Sequence, residues 1–268
     1  MKRTLSALFC LGFFAAFSAG ALEFELTGGV NGFTFDREIK DMIIGNIGIR
    51  NSISASSAFS LNITRDTILK NSIDLRLLAE TDYFSFEFGP FVGMSDNLKV
   101  LPNTGITGGI GFSYPGIAFL SLSGSSTLGS YFGFTGGDTQ ESAEAKLGFW
   151  LPNVIPVLSA GYKSYTTQTS EQQSTRDMLI RYQFSADIFA KNFPFTLRLD
   201  GGYEILTRYI SIDNVEQEDK LKSWFAGLEV DWQIARPLKL TAGFETPFLL
   251  NEPIFRYKIT AGLVYTFF

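Results

Sequence analysis

The sequence predicts an all-β fold, a transmembrane antiparallel up-and-down β-barrel with short turns at one rim and longer loops at the other. Three observations support it. Apolar and polar residues alternate along most of the chain, which is the period of a strand with one dry and one wet face. Aromatic residues reach 15%, with 27 Phe, which is high for a secreted soluble protein. An export signal opens the chain, yet no later stretch is apolar for long enough to be a membrane helix.

The export signal is the stretch "MKRTLSALFCLGFFAAFSAGA". Lys2 and Arg3 precede an apolar run, and small residues end it at Ala21, which is the layout of a secretory signal peptide. We therefore expect residues 1–21 to be a cleaved signal peptide and residues 22–268 to form a single barrel domain. The only cysteine, Cys10, would leave with the signal.

The first strand begins at Leu22, where Leu22, Phe24 and Leu26 alternate with Glu23 and Glu25. The same alternation recurs over residues 83–93, 104–114, 194–209 and 221–234, and in the last strand up to Phe267. Brief turns are expected at 80–82, 114–116, 151–153, 191–193 and 235–237. Longer polar loops are expected at "SDNLKVLPN", "GSYFGFTGGDTQ", "TTQTSEQQST" and "SIDNVEQEDK". Short connections on one rim and long ones on the other are typical of a transmembrane barrel.

The strand count depends on residues 43–66. The turns define eleven strands from residue 69 onward, and residues 22–35 add one. Residues 43–66 read as a further hairpin with its turn near Ser54 to Ser56, because apolar residues alternate on both arms. We therefore predict fourteen strands; twelve strands with a folded first loop is the alternative.

A soluble β-sandwich is the alternative to the barrel, because it also alternates dry and wet faces. In a sandwich, large and small residues interleave in a core about 10 Å thick. Here the dry faces are almost uniformly large, which suits lipid. Trp224 and Trp232 share a face roughly 20 Å apart along the membrane normal, so both fit the aromatic girdles of a barrel, together with Tyr257 and Tyr265.

The chain ends in "ITAGLVYTFF", an apolar and aromatic strand. In lipid, the last strand must pair with the first, because an open edge leaves backbone groups unsatisfied. In its signal, its alternating strands and this ending, the chain resembles the outer-membrane β-barrel proteins of diderm bacteria. Small Phe-rich barrels of this kind occur in spirochaetes. The resemblance implies the outer membrane as location and the barrel-assembly machinery as a partner, which would read Tyr265, Phe267 and Phe268.

If the dry face points outward, the charged residues of the wet face line the lumen. Register estimated from the turns sets unlike charges opposite one another. The expected pairs are Arg76 with Glu87, Arg181 with Glu204, Asp187 with Arg198, Asp231 on the other side of Arg198, and Glu245 with Arg256. These pairs either brace the wall or define a polar conduit. A barrel of twelve to fourteen strands has a backbone radius of roughly 12 to 14 Å, which leaves room for a small-solute pore.

Composition narrows the function. The chain has no histidine, which disfavours imidazole-based catalysis and metal sites, so we expect no enzyme activity, cofactor or metal. Acidic residues outnumber basic ones, 27 to 22, which disfavours nucleic acid as a partner.

The predicted function is a porin-like outer-membrane channel for passive diffusion of small hydrophilic solutes through a mixed-charge lumen. The predicted contacts are outer-membrane lipid, the assembly machinery and the solutes, for a monomer or small homo-oligomer. The alternative is a structural or surface-binding barrel without significant conductance. A third possibility is uptake of apolar molecules, although no amino-terminal plug segment is visible.

Overall fold

The computed structural model describes residues 21–35, 39–94, 103–128, 138–170, 173–189, 193–213, 215–249 and 257–267. The predicted signal peptide lies outside the described residues except for Ala21, and so do Arg256, Phe268 and most of the first two predicted long loops.

Strands make up nearly all of the described chain. They are β1 (Leu22–Asn31), β2 (Ile43–Ser54), β3 (Ser57–Asp66), β4 (Lys70–Glu80), β5 (Phe84–Met94), β6 (Asn103–Tyr114), β7 (Ala118–Thr127), β8 (Thr139–Phe149), β9 (Val154–Ser170), β10 (Gln173–Phe189), β11 (Phe195–Ile212), β12 (Val215–Ala235), β13 (Leu238–Leu249) and β14 (Lys258–Phe267). One helical turn, α1 (Ile39–Met42), precedes β2. Among the described residues, no helix has the length and apolar character needed to span a membrane.

The strands form one closed antiparallel barrel in which each pairs with its neighbours in the chain. The predicted count of fourteen is confirmed, and residues 43–66 form the hairpin of β2 and β3. The barrel closes between β1 and β14, which pair from Leu22 opposite Phe267 to Asn31 opposite Lys258. The end of the chain is therefore one half of the closing seam, as the sequence predicts.

The large apolar side chains point away from the barrel. Leu77 is 65% exposed, Phe88 60% and Trp224 55%, and similar residues are exposed on strands all around the barrel. Charged residues line the interior: Lys163 on β9 bonds to Asp66 on β3, six strands away in the ring, and such a contact must cross the lumen. An apolar outer band around a polar interior is the pattern of a membrane barrel.

The structure corrects the prediction of the two later long loops. The stretches "TTQTSEQQST" and "SIDNVEQEDK" belong mostly to strands, with only residues 171–172 and 213–214 between them. Strands β9 to β12 have 17 to 21 residues, against 10 to 12 in the other ten. The 21 residues of β12 rise roughly 50 Å along the membrane normal, about twice the apolar band of such barrels. The dry and wet alternation disappears there because both faces meet water.

Candidate functional site

The lumen is the candidate site, and its most buried charged group is the Arg181 cluster, formed by Arg181, Glu204, Phe225 and Glu245. Arg181 Nη1 donates to Glu204 Oε2 at 3.2 Å and to Glu245 Oε1 at 3.1 Å, and Nη2 donates to Glu245 Oε2 at 2.5 Å. The Glu204 side chain is only 2% exposed. The guanidinium carbon lies 3.8 Å from the centre of the Phe225 ring. The cluster joins β10, β11, β12 and β13.

A glycine makes room for this arrangement. A Cβ at Gly202 would lie 2.7 Å from the Phe225 ring and 2.1 Å from the Tyr182 carbonyl oxygen, closer than real Cβ atoms come. Gly202 therefore lets the Phe225 ring lie against the wall beneath Arg181. Register places Glu204 directly opposite Arg181, the pairing expected from the sequence. The bonds from Arg181 to Glu245, three strands away, were not predicted.

A second group, the Arg198 cluster, consists of Arg198, Asp187 and Glu229. Arg198 donates to both Asp187 oxygens at 2.6 and 3.1 Å, and its Nη1 donates to Glu229 Oε1 at 3.0 Å. Asp187 lies opposite Arg198 as expected. The prediction that Asp231 flanks Arg198 is wrong: Asp231 lies opposite Thr196, and Glu229 takes its place. The reason is that the β11–β12 pairing, which ends with Ile212 opposite Val215, is centred one residue earlier than the position estimated from the sequence.

Asp231 instead accepts hydrogen bonds from Thr241 Oγ1 at 2.6 Å and Lys239 Nζ at 3.3 Å. It therefore remains a lumen residue, with different partners.

In two other predicted pairs, the residue directly opposite the carboxylate is two positions away from the one expected. Glu87 lies opposite Leu78 rather than Arg76, although Arg76 still reaches Glu87 diagonally at 3.2 Å. Glu245 lies opposite Lys258 rather than Arg256, and Arg256 is outside the described residues. In both cases the hairpin turns one residue later than estimated.

The predicted girdle residues lie on the outer face. Trp224 packs against Tyr203 at 5.0 Å between ring centres, and Trp232 stacks on Phe195 at 5.6 Å. Tyr257 is 48% exposed just before β14. In the closing strand, Tyr265 and Phe267 meet edge to face with ring centres 4.6 Å apart.

An apolar cluster inside the barrel was not predicted. Phe33, Ile68, Tyr165 and Leu206 form it, each at most 4% exposed. Phe33 follows β1 and Ile68 lies in the β3–β4 turn, whereas Tyr165 and Leu206 stand on the opposite wall. We call residues 32–35 and 67–69, together with the side chains of the strand-end residues Asn31 and Asp66, the cap. A signal was present in the sequence, since Leu206 is a large apolar residue on the wet face between Glu204 and Arg208.

An ion pair ties the cap to that wall. Lys163 Nζ on β9 lies 2.5 Å from Asp66 Oδ2, and Asp66 Oδ1 accepts hydrogen bonds from the backbone N–H groups of Ile68 and Leu69 at 2.8 and 3.0 Å. Asn31 Nδ2 donates to Thr67 Oγ1 at 3.3 Å, which joins the two segments of the cap. Asp66 thus shapes the β3–β4 turn and holds it across the lumen.

Two adjoining cavities lie below the cap. The central cavity has a volume of about 620 Å³ and is bounded by Asp66, Lys163 and the Arg181 and Arg198 clusters. The lower cavity, of about 500 Å³, extends to the β12–β13 turn and includes Glu23 and Glu25 in its wall. Thr27, Arg198 and Glu229 line both, so the two cavities adjoin one another along one side of the barrel. Within the described part of the chain, no cluster of three or more acidic, histidine or cysteine residues could hold a metal ion.

Comparison with known proteins identifies the architecture. No family model matches the chain, and no curated protein matches it. Its fold is similar to an outer membrane channel of Pseudomonas putida F1, at 11% identity over 93% of this chain and 96% of that chain, with a TM-score of 0.54. A bacterial polysaccharide outer membrane secretin is similar at 7% identity over 92% and 98% of the two chains, with a TM-score of 0.52. At these identities the likeness shows the fold, that of an outer-membrane β-barrel.

Proposed function

We propose that this outer-membrane β-barrel is a porin-like channel that lets small hydrophilic solutes diffuse through a mixed-charge lumen. The observation that carries the proposal is the pair of adjoining cavities, about 620 and 500 Å³, between the cap and the rim at the β12–β13 turn. A rigid wall of charged and hydrogen-bonding groups surrounds them. Charged side chains in the wall keep the lumen hydrated, and a water-filled path of this size suits ions and small polar solutes.

The chemistry of the wall favours passage over tight binding. The charges are arranged as pairs: Arg198 with Asp187 and Glu229, and Arg181 with Glu204 and Glu245. A solute that meets paired charges gains little from displacing either partner, so it is not held. We extend the proposal to the absence of catalysis, because the chain offers no histidine for the schemes that use one. Outer-membrane lipid and the barrel-assembly machinery are the proposed contacts of the outer face and the closing strand.

Planar-bilayer recording of the refolded protein tests the proposal. We expect current steps whose size rises with salt concentration, while the same protein denatured before addition gives none. Swelling of protein-loaded liposomes in sugars of graded size should then show entry of small sugars and exclusion of larger ones. The absence of current above background at all voltages and salt concentrations would refute the channel.

A second function is favoured by a different observation. Strands β9 to β12 carry a sheet beyond the apolar band, and such a surface suits a structural or surface-binding barrel. Under this alternative the protein refolds to a barrel and passes neither ions nor sugars. The part of β9 to β12 beyond the apolar band is then its binding surface. Liposome swelling distinguishes the two functions directly.

A further inference from the structure

The backbone of the cap between the strand ends lies outside the strand pairing, and its side chains cross the lumen to the opposite wall. Its two segments follow β1 and join β3 to β4, while Tyr165 and Leu206 lie on β9 and β11. In a ring of fourteen strands, β3 and β10 are seven steps apart in either direction, so the cap reaches the diametrically opposite wall. The contact therefore narrows the path of a solute that moves along the lumen.

The cap is held to that wall by a few side chains. The apolar part is the buried cluster of Phe33, Ile68, Tyr165 and Leu206. The ionic part is the Asp66–Lys163 pair, in which the Lys163 side chain remains 40% exposed. Phe35 adds a cation–π contact, in which the Arg208 guanidinium carbon lies 5.0 Å from the centre of the Phe35 ring. These attachments are side-chain contacts, which can separate without loss of strand pairing.

The shape of the cap is fixed independently of the far wall. Asp66 Oδ1 holds the β3–β4 turn through two backbone N–H groups, and Asn31 Oδ1 accepts from Phe33 N at 3.0 Å. Asp66 Oδ2 is a separate oxygen, and it makes the bond to Lys163. Losing Lys163 therefore leaves the turn intact and removes only the tie across the lumen.

We propose that the cap is a gate, closed in this structure and latched by Asp66 and Lys163. The inference rests on the proposed channel function. In the open state the Asp66–Lys163 pair is broken, the apolar cluster separates, and the cavities below become continuous with the cap side of the barrel. The wall strands do not move.

Substitutions at Lys163 test the latch. Lys163→Met removes the ion pair and keeps most of the side-chain volume; we expect the fraction of time spent conducting to rise about two- to fivefold, the range a partly exposed ion pair supports. Lys163→Glu sets like charges together and should open the gate further, while Lys163→Arg should behave as the native protein. Lys146→Met is the matched control, because Lys146 pairs with Glu144 on its own strand, at 2.8 Å, and does not contact the cap.

A covalent lock provides the second test. The predicted mature chain contains no cysteine, so Ile68→Cys with Leu206→Cys gives the two thiols of a short bis-maleimide crosslink. The crosslinked barrel should lose its conducting state, whereas either single cysteine treated in the same way should not. Heat-modifiable gel mobility checks that each variant folds.

The outcomes separate the two proposals. If the native protein and every Lys163 variant fail to conduct, the channel function itself is refuted. If the native protein conducts but the Glu variant and the crosslinked variant have native open fractions, the channel stands and the gate is refuted.

Discussion

Replacing Arg181 by Met should destabilise the barrel more than any other single loss of a lumen charge described above. Arg181 makes three charge-assisted hydrogen bonds, and its carboxylate partners have side-chain exposures of only 2% and 12%. Removing one member of a buried ion pair leaves an uncompensated charge and costs about 3 to 5 kcal/mol. The contact with Phe225 adds about 1 kcal/mol, part of which Met retains through its sulfur. We therefore expect a loss of about 3 to 5 kcal/mol.

Arg198 provides the comparison within the same barrel. It also contacts two carboxylates, but its side chain is 41% exposed. Water screens such a pair, so Arg198→Met should cost about 1 kcal/mol or less. The contrast isolates burial, because both arginines sit on neighbouring strands and have similar partners.

The assay is reversible unfolding in urea in the presence of lipid vesicles, followed by tryptophan fluorescence. A triple variant, Arg181→Met with Glu204→Gln and Glu245→Gln, removes the three charges of the Arg181 cluster and should recover at least half of the loss, since no buried carboxylate is then left unpaired. Lys258, which lies 4.0 Å from Glu245, loses that partner but is 31% exposed to water. The reasoning is refuted if Arg181→Met costs no more than Arg198→Met, or if the triple variant is as unstable as the single one.

Three further predictions concern the two faces of the wall. Leu228→Arg places a charge on the outer face of β12 and should lower the unfolding free energy by about 2 to 4 kcal/mol in the same urea assay. Glu23→Gln combined with Glu25→Gln should reduce any preference for cations in the reversal potential across a KCl gradient, because both carboxylates line the lower cavity; Glu141→Gln, on the outer face, should leave that potential unchanged. Gly89→Val should abolish the heat-modifiable folded band on a gel, since a Cβ there would lie 1.7 Å from a backbone carbonyl oxygen of β4.

The sequence predicted the number of strands, their closure and the inward or outward face of side chains in the strands it identified, because all three depend on an alternation that lipid enforces residue by residue. The cross-strand charge pairs of the lumen were predicted less well. Glu229 and Asp231 lie on the same face, and a hairpin that turns one residue earlier exchanges one for the other opposite Arg198. An error of two positions keeps every side chain on its face, so the lumen assignment survived although the pairing did not.

The cap and the long strands could not be predicted from alternation. Phe33 and Ile68 lie outside the strands, where the period carries no information, and their contact with Tyr165 joins segments roughly 100 residues apart. In β9 to β12 the residues beyond the apolar band have water on both faces. Their polar composition therefore resembles that of a loop, although they are strands. Backbone hydrogen bonding continued where the side-chain pattern stopped.

The extended hairpins have a consequence for immune recognition. A peptide copied from residues 166–175 would be flexible in solution, whereas in the protein residues 166–170 and 173–175 belong to a pleated sheet shared with neighbouring strands. Antibodies raised against such a peptide should therefore bind whole cells poorly, and antibodies raised against the folded barrel should contact side chains from several strands at once. The position after Asp213 is the place to insert a foreign epitope tag, because the β11–β12 pairing ends with Ile212 opposite Val215.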